Sequence, residues 1–185
     1  MELKDFSYTL PDELIAQHPC AERDRSRLLF VNKKKEALTD LSFFQLPDLL
    51  SGDDVLVIND SRVIPARLFG RKPTGALMEI LLLTRKKSEQ DSQTWEALIR
   101  PAKRLRENDM IHLAHNGEAR VLARISDKKW LLEFFAPDGF DAHLEKFGRA
   151  PLPPYIKRKK NASPDMTDLE RYQTIYAQNP GSIAA

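Results

Sequence analysis

Between Val63 and Phe135 the chain breaks into six short apolar runs separated by turn residues, and this pattern limits the fold more than any other feature. The runs are Ala66–Gly70, Leu77–Arg85, Thr94–Arg100, Met110–His115, Ala119–Ile125 and Trp130–Phe135. Asn116-Gly117 stands between two of them and is a strong signal for a two-residue hairpin. Asp127-Lys128-Lys129 suits the next turn. The segment has no long stretch of helical period. Six strands on tight turns predict a small antiparallel β-barrel or closed sheet, because closure removes the open edges of so short a sheet.

The flanks mix element types, so the expected class is α+β: a mixed α/β domain interrupted by the barrel. The expected division is 1–62 for the first part of the α/β domain, 63–137 for the inserted barrel and 138–185 for the return. Pro11–Gln17 predicts a short helix starting at a proline and stopping before Pro19. Arg27–Asn32 reads as a strand and Phe43–Leu50 as a short helix. Val55–Ile58 is β-branched without alternation, the mark of a strand buried on both faces. Phe140–Phe147 predicts a helix with Gly148 at its C-terminal end. Pro151-Leu152-Pro153-Pro154-Tyr155-Ile156 suits a stiff return linker, Asn161–Thr167 a loop, and Asp168–Ala177 a helix. The end at Ser182-Ile183-Ala184-Ala185 has no helix stop and no charged tail, and reads as a chain cut within a domain.

Charge and motif content narrow the chemistry. Basic and acidic side chains, 29 against 27, nearly cancel, so polyanion binding requires clustering. Three clusters occur: Arg100, Lys103, Arg104 and Arg106; Lys157-Arg158-Lys159-Lys160; and Arg62, Arg67, Arg71 and Lys72. Each alone is most simply a solvated face; together they suit a phosphate-binding surface. One cysteine, Cys20, allows no internal disulfide and no multi-cysteine metal site. A reducing, cytoplasmic location is therefore expected, without a signal peptide. No apolar stretch is long enough to span a bilayer. Neither G-x-G-x-x-G nor G-x-x-x-x-G-K occurs. The four histidines lack zinc-ligand spacing, and no metal is expected.

The remaining candidate is Asn59-Asp60-Ser61-Arg62, directly after the Val55–Ile58 run. It offers an amide, an acid or base, a hydroxyl and a fixed cation at a strand end, where sites tend to be built. Asn-Asp-Ser is equally ordinary turn chemistry, with Asp60 paired to Arg62 or Arg67. Both readings stand on sequence.

Irregular motifs along the whole chain carry a resemblance. They are Leu10-Pro11-x-Glu13-Leu14-Ile15-Ala16-Gln17-His18-Pro19, Arg23-Asp24-x-Ser26-Arg27-Leu28-Leu29, Asn59-Asp60-Ser61-Arg62-Val63-Ile64-Pro65-Ala66-Arg67-Leu68, Leu98-Ile99-Arg100-Pro101-Ala102-Lys103-Arg104, Pro151-Leu152-Pro153-Pro154-Tyr155-Ile156 and Arg171-Tyr172-Gln173-Thr174-x-Tyr176-Ala177. With these the chain resembles the N-terminal half of the S-adenosylmethionine:tRNA ribosyltransferase-isomerase family of queuosine biosynthesis. The resemblance implies transfer and isomerisation of the ribosyl group of S-adenosylmethionine onto 7-aminomethyl-7-deazaguanine at the tRNA wobble position. Epoxyqueuosine forms, and adenine and methionine are released. It further implies an α/β domain interrupted by a small barrel, a monomer, a tRNA anticodon loop as partner, and S-adenosylmethionine as co-substrate with no resident cofactor. The family's chain continues past a Gly-Ser-Val/Ile-Ala-Ala stretch, whereas this sequence stops there.

On that reading Asp60 is the expected base at the carbon beside the sulfonium, with Arg62 next to it in the catalytic group. Asn59, Ser61, Tyr155, Tyr172, Gln173 and Tyr176 are expected to bind substrate, since aromatic faces and polar groups suit a sulfonium and a nucleobase. Arg100, Lys103 and Arg104 are expected to bind RNA phosphates. Aromatics at helical spacing are more often core, so Tyr172 and Tyr176 have that alternative. A non-catalytic tRNA-binding fragment and an inactive, incompletely folded chain are the competing readings of the whole.

Overall fold

The structure is a computed structural model that describes residues 2–158 and 165–184. Among the described residues it is mixed helix and strand, with the six-stranded antiparallel barrel closed as the turn pattern predicts. The chain divides into two compact units, Met1–Ile58 with Pro154–Lys157 and Asn59–Pro153 with Arg158–Ala185.

In the first unit, β1 (Arg27–Asn32) and β2 (Ala37–Ser42) form an antiparallel hairpin with Arg27 opposite Ser42. Asn32 Oδ1 accepts from the Lys34 and Lys35 amides at 3.1 Å each and so builds the turn. Phe43–Leu49 is a 3-10 helix, opened by a capping box between Ser42 and Gln45. Two expectations fail in this unit. Pro11–Gln17 yields only a 3-10 turn, Asp12–Leu14, because so short a segment has few helical bonds to offset nucleation. Val55–Ile58 is not a buried strand. Val55 is 88% and Val57 89% exposed, and no ladder partner lies beside the run among the described residues.

The second unit holds the core. β3 (Ser61–Val63) is short; β4 (Arg67–Arg71), β5 (Leu77–Ser88), β6 (Gln93–Arg100), β7 (Met110–His112), β8 (Glu118–Arg124) and β9 (Lys129–Phe135) follow. The barrel order is β4-β5-β6-β9-β8-β7, and Arg71 opposite His112 closes the ring between β4 and β7. Strict alternation in β6 and β9 sends every second side chain inward. Ile80, Leu82, Ala97, Ile111, Val121, Leu132 and Phe134 fill the interior. Burial of each large apolar side chain contributes about 1.5–3 kcal/mol.

Helix α1 (Phe140–Phe147) covers one end of the barrel. Phe140 and Leu144 join the core, and the Phe140 ring stacks on Phe134 at 4.4 Å. Two glycines make this seat possible. A Cβ on Gly117 would lie 2.5 Å from His143 Cε1, and one on Gly148 would strike the Pro65 carbonyl oxygen. Gly148 has φ −69°, so it is there for close approach and not for a left-handed cap. The β7–β8 turn also differs from expectation. His115 and Asn116, both with positive φ, are its central residues, and the Gly117 amide donates to the Ala114 carbonyl at 3.0 Å. The turn is thus one residue earlier than Asn116-Gly117, because Gly117 is held against His143. Helix α2 is Met166–Arg171, shorter than the expected Asp168–Ala177, and starts on an Asp165 cap. β10 (Asn179–Ser182), for which the sequence reading assigned no element, pairs in parallel with β3.

Candidate functional site

The Asn59–Arg62 turn is the best-braced polar segment of the second unit. Asn59 Oδ1 accepts the Ser61 amide at 2.9 Å, an Asx turn that bends the chain into β3. The segment after α2 then straps it from outside. Thr174 Oγ1 donates to the Asn59 carbonyl at 2.8 Å. The Gln178 and Asn179 amides donate to the Asp60 carbonyl at 2.7 and 3.3 Å. Asn179 Nδ2 donates to Asp60 Oδ2 at 3.2 Å, fixing one carboxylate oxygen. Ser61 and Arg62 lie opposite Asn179 and Pro180 in the β3–β10 ladder.

Gln173 does more than line a surface. Its Oε1 accepts the Val63 amide and its Nε2 donates to the Val63 carbonyl, both at 2.8 Å. A side-chain amide thereby completes the backbone bonding of β3 as a neighbouring strand would. Asp60 and Arg62 remain exposed at the turn, while Ser61 is half-buried. Among the described residues Arg62 has no carboxylate within ion-pair distance. Arg67, the alternative partner for Asp60, instead holds Glu79 at 2.6 Å and the Leu152 carbonyl at 2.7 Å. The Asp60–Arg67 and Asp60–Arg62 pairings weighed on sequence do not occur.

The strap residues Asn179, Gln178 and Thr174 were absent from the sequence reading of the site. Only their proximity to the Arg171–Ala177 motif pointed that way. Tyr172 is half-buried and Tyr176 45% exposed on the same strap. Tyr155 belongs to the first unit, where it is 54% exposed and its carbonyl accepts from Gln17 Nε2 at 3.0 Å. Asp60, Arg62, Asn59, Ser61, Gln173, Tyr172 and Tyr176 thus share one region of the second unit.

Arg100, Lys103 and Arg104 do not. β4 starts at Arg67, where its backbone bridges to Arg149 just after α1, and β4 and β6 run in the same direction through β5. Arg100 therefore leaves the barrel at the end where β4 also finishes, although its ladder partner Glu79 holds Arg67 at 2.6 Å and so keeps the two cations near one another. The loop from Arg100 to Asp109 is pinned by Lys72, whose Nζ donates to Asp109 Oδ2 at 2.6 Å and to the Arg104 carbonyl at 3.1 Å. Burial acts to raise the Asp109 carboxyl, but Lys72 and the Arg106 amide outweigh it and hold it below the usual value. Of the Lys157–Lys160 run, Arg158 is bound by both oxygens of Asp168, at 2.8 and 2.9 Å, and Lys157 by Asp12. Lys159 and Lys160 lie outside the described residues. Among the described residues, no three His, Cys, Asp or Glu side chains gather as a metal site, and no helix is long and apolar enough to cross a membrane.

Residues 3–185 match the family described as queuosine biosynthesis protein. The chain belongs to that family. It is 47% identical to the S-adenosylmethionine:tRNA ribosyltransferase-isomerase of Syntrophus aciditrophicus, covering all of this chain and 56% of the relative. To the enzymes of the same name from Trichlorobacter lovleyi and Pelobacter propionicus it is 40% and 43% identical, covering 52% of each. A solved structure of the S-adenosylmethionine tRNA ribosyltransferase of Thermotoga maritima is 33% identical over 82% of this chain and 52% of that one, with a TM-score of 0.37. The chain spans about half the length of the curated relatives it matches.

Proposed function

We propose that this chain supplies the ribosyl-transfer site of a queuosine-pathway enzyme, acting on S-adenosylmethionine and 7-aminomethyl-7-deazaguanine at the tRNA wobble position to give epoxyqueuosine. The observation that carries the proposal is the strapped turn: Asp60 is exposed for chemistry while its carbonyl and one carboxylate oxygen are held by Gln178 and Asn179. A carboxylate fixed in this way is preorganised as a base, and its other oxygen is free to accept a proton. Asp60 removes a proton from the carbon bonded to sulfur, and the sulfonium stabilises the electron pair left there. At the anomeric carbon the bonds to adenine and to the ring oxygen break while the aminomethyl nitrogen, which gives up a proton, and the deprotonated carbon bond there. Adenine leaves with the glycosidic pair and takes up a proton, and the freed ring oxygen displaces methionine at the carbon bonded to sulfur to close the epoxide.

Arg62 sits beside the reacting carbons as a fixed cation for negative charge developing on a ribose oxygen. Asn59, Ser61, Tyr172 and Tyr176 present polar edges and aromatic faces to the nucleoside and the wobble base; Tyr155 is a substrate-binding candidate of the first unit. An exposed loop base enters such a site with little unstacking. Arg100, Lys103 and Arg104 bind RNA phosphates. S-adenosylmethionine is consumed as co-substrate, the chain needs no resident cofactor, and the setting is cytoplasmic. The inserted barrel, 63–137, is the RNA-facing part.

The test is adenine release from S-adenosylmethionine by the 185-residue chain, with an anticodon stem-loop carrying the deazaguanine. Release above a no-RNA control supports the proposal. RNA binding without release from a folded chain favours the second reading, a tRNA-binding segment without chemistry, which the position of the whole basic loop within this chain supports.

A further inference from the structure

The barrel sorts its cations by end. The β4–β5 turn, the loop from Arg100 to Asp109 and the β8–β9 turn all emerge at the end away from α1, because β4, β6 and β8 run in one direction and β5, β7 and β9 in the other. Segments distant in sequence are thereby brought together. The Asn108 amide donates to the Val121 carbonyl at 2.8 Å, tying the loop to β8. The register that pairs Leu98 with Lys129 carries Arg100 alongside the Asp127-Lys128 turn. Lys72, at the end of β4, pins the loop through Asp109 and the Arg104 carbonyl.

Exposed here are Arg71, Arg100, Lys103, Arg104, Arg106 and Lys128, and among the described residues none has a carboxylate within ion-pair distance. The acids at this end are mostly engaged: Asp109 by Lys72 and Asp127 by Arg124 at 2.9 Å. Glu79, opposite Arg100 in the ladder, is held by Arg67. Glu107 remains as the exposed counter-charge. The contrast with the other end is clear, since there Lys86 and Lys87 are paired with Glu96 and Glu89.

We propose that this open end of the barrel is a single polyanion-docking surface, built by three loops, that grips the phosphate backbone of a structured RNA. The proposal rests on the tRNA reading above and deepens it. The sequence grouped Arg71 and Lys72 with Arg62 and Arg67, apart from Arg100, Lys103, Arg104 and Arg106. The fold joins Arg71 to the Arg100–Arg106 loop through Lys72 and adds Lys128. Phosphate contacts of this kind contribute affinity and register without reading the wobble base.

The experiment is a salt series of binding of the full chain to an unmodified tRNA transcript, for wild type, Arg71→Gln, Arg104→Gln, Lys128→Gln and, as control, Lys87→Gln. Thermal melts of each variant confirm folding. A shared surface predicts that Arg71→Gln and Lys128→Gln, like Arg104→Gln, weaken binding and each reduce the salt slope by about one. Lys87→Gln is expected to match wild type. Loss confined to Arg104→Gln would overturn the three-loop surface and leave the catalytic proposal intact. Equal loss in Lys87→Gln would overturn it as non-specific charge attraction, and wild-type preference for anionic vesicles over the transcript would reassign the surface to membrane. Adenine release is read separately, so failure at the strapped turn is not mistaken for failure of docking.

Discussion

Gln173 shows how one side chain can set the position of a site. Both ends of its amide are used by the Val63 backbone, so truncation leaves a part-buried N–H and C=O without partners. Gln173→Ala should cost about 1–3 kcal/mol in urea denaturation, and Gln173→Glu should lose the bond to the Val63 carbonyl while keeping the one from its amide. His143 makes the second residue-scale case. It is 5% exposed, Nε2 has no partner among the described residues, and burial, aided by nearby His115, lowers its pKa from 6.5. In the folded state the neutral form is favoured, so below pH 6.5 the unfolded chain binds a proton that the native chain resists. Stability is full above pH 6.5 and falls as pH drops from there toward the depressed native value. Urea midpoints at pH 7.5 and 5.5 should therefore diverge more for wild type than for His143→Phe.

At the scale of elements, short apolar runs set off by turn residues made the barrel readable, because tight turns between such runs mark successive hairpins. Strand boundaries moved by at most three residues. Val55–Ile58 misled because an unbroken apolar run records what a segment is suited to bury, and among the described residues the run stays exposed with no strand beside it. β10 was missed for the opposite reason: Asn179-Pro180-Gly181-Ser182 has no strand propensity and pairs because the strap beyond Gln173 delivers it to β3. Asp60 and Arg62 were legible as candidates, but Asn179, which orients the carboxylate, was not, since nothing local links residues 119 positions apart. The seat of α1 supplies the test at this scale. Gly148→Ala drives a Cβ into the Pro65 carbonyl, and backbone cannot move aside as a flexible side chain can. Overpacking of this kind costs about 1–3 kcal/mol. Hydrogen exchange should show faster loss of the Arg67 and Arg149 amides, whose mutual bonds at 3.2 and 2.9 Å hold α1 to β4.

Across the whole molecule, burial is uneven. Every buried hydrophobic residue, from Val63 to Ala150, belongs to the second unit. In the first unit Leu29, Val31, Leu38 and Val55–Ile58 are all exposed. Local opening follows local burial, so amides of β5, β6 and β9 should exchange orders of magnitude more slowly than those of β1 and β2. Equal protection in both units would contradict this picture. The barrel is in this sense the stable scaffold that carries both the strapped turn and the basic loops.

The central claim is that the carboxylate of Asp60, held by the strap, performs the chemistry. Its most direct test is single-turnover adenine release by wild type and Asp60→Asn side by side, each shown by its melt to be folded. Because Asn keeps an oxygen acceptor for Asn179 but cannot take up a proton, the account predicts adenine release from wild type and a loss of about a hundredfold or more in the variant, with tRNA binding unchanged. Release at the wild-type rate from Asp60→Asn would contradict it.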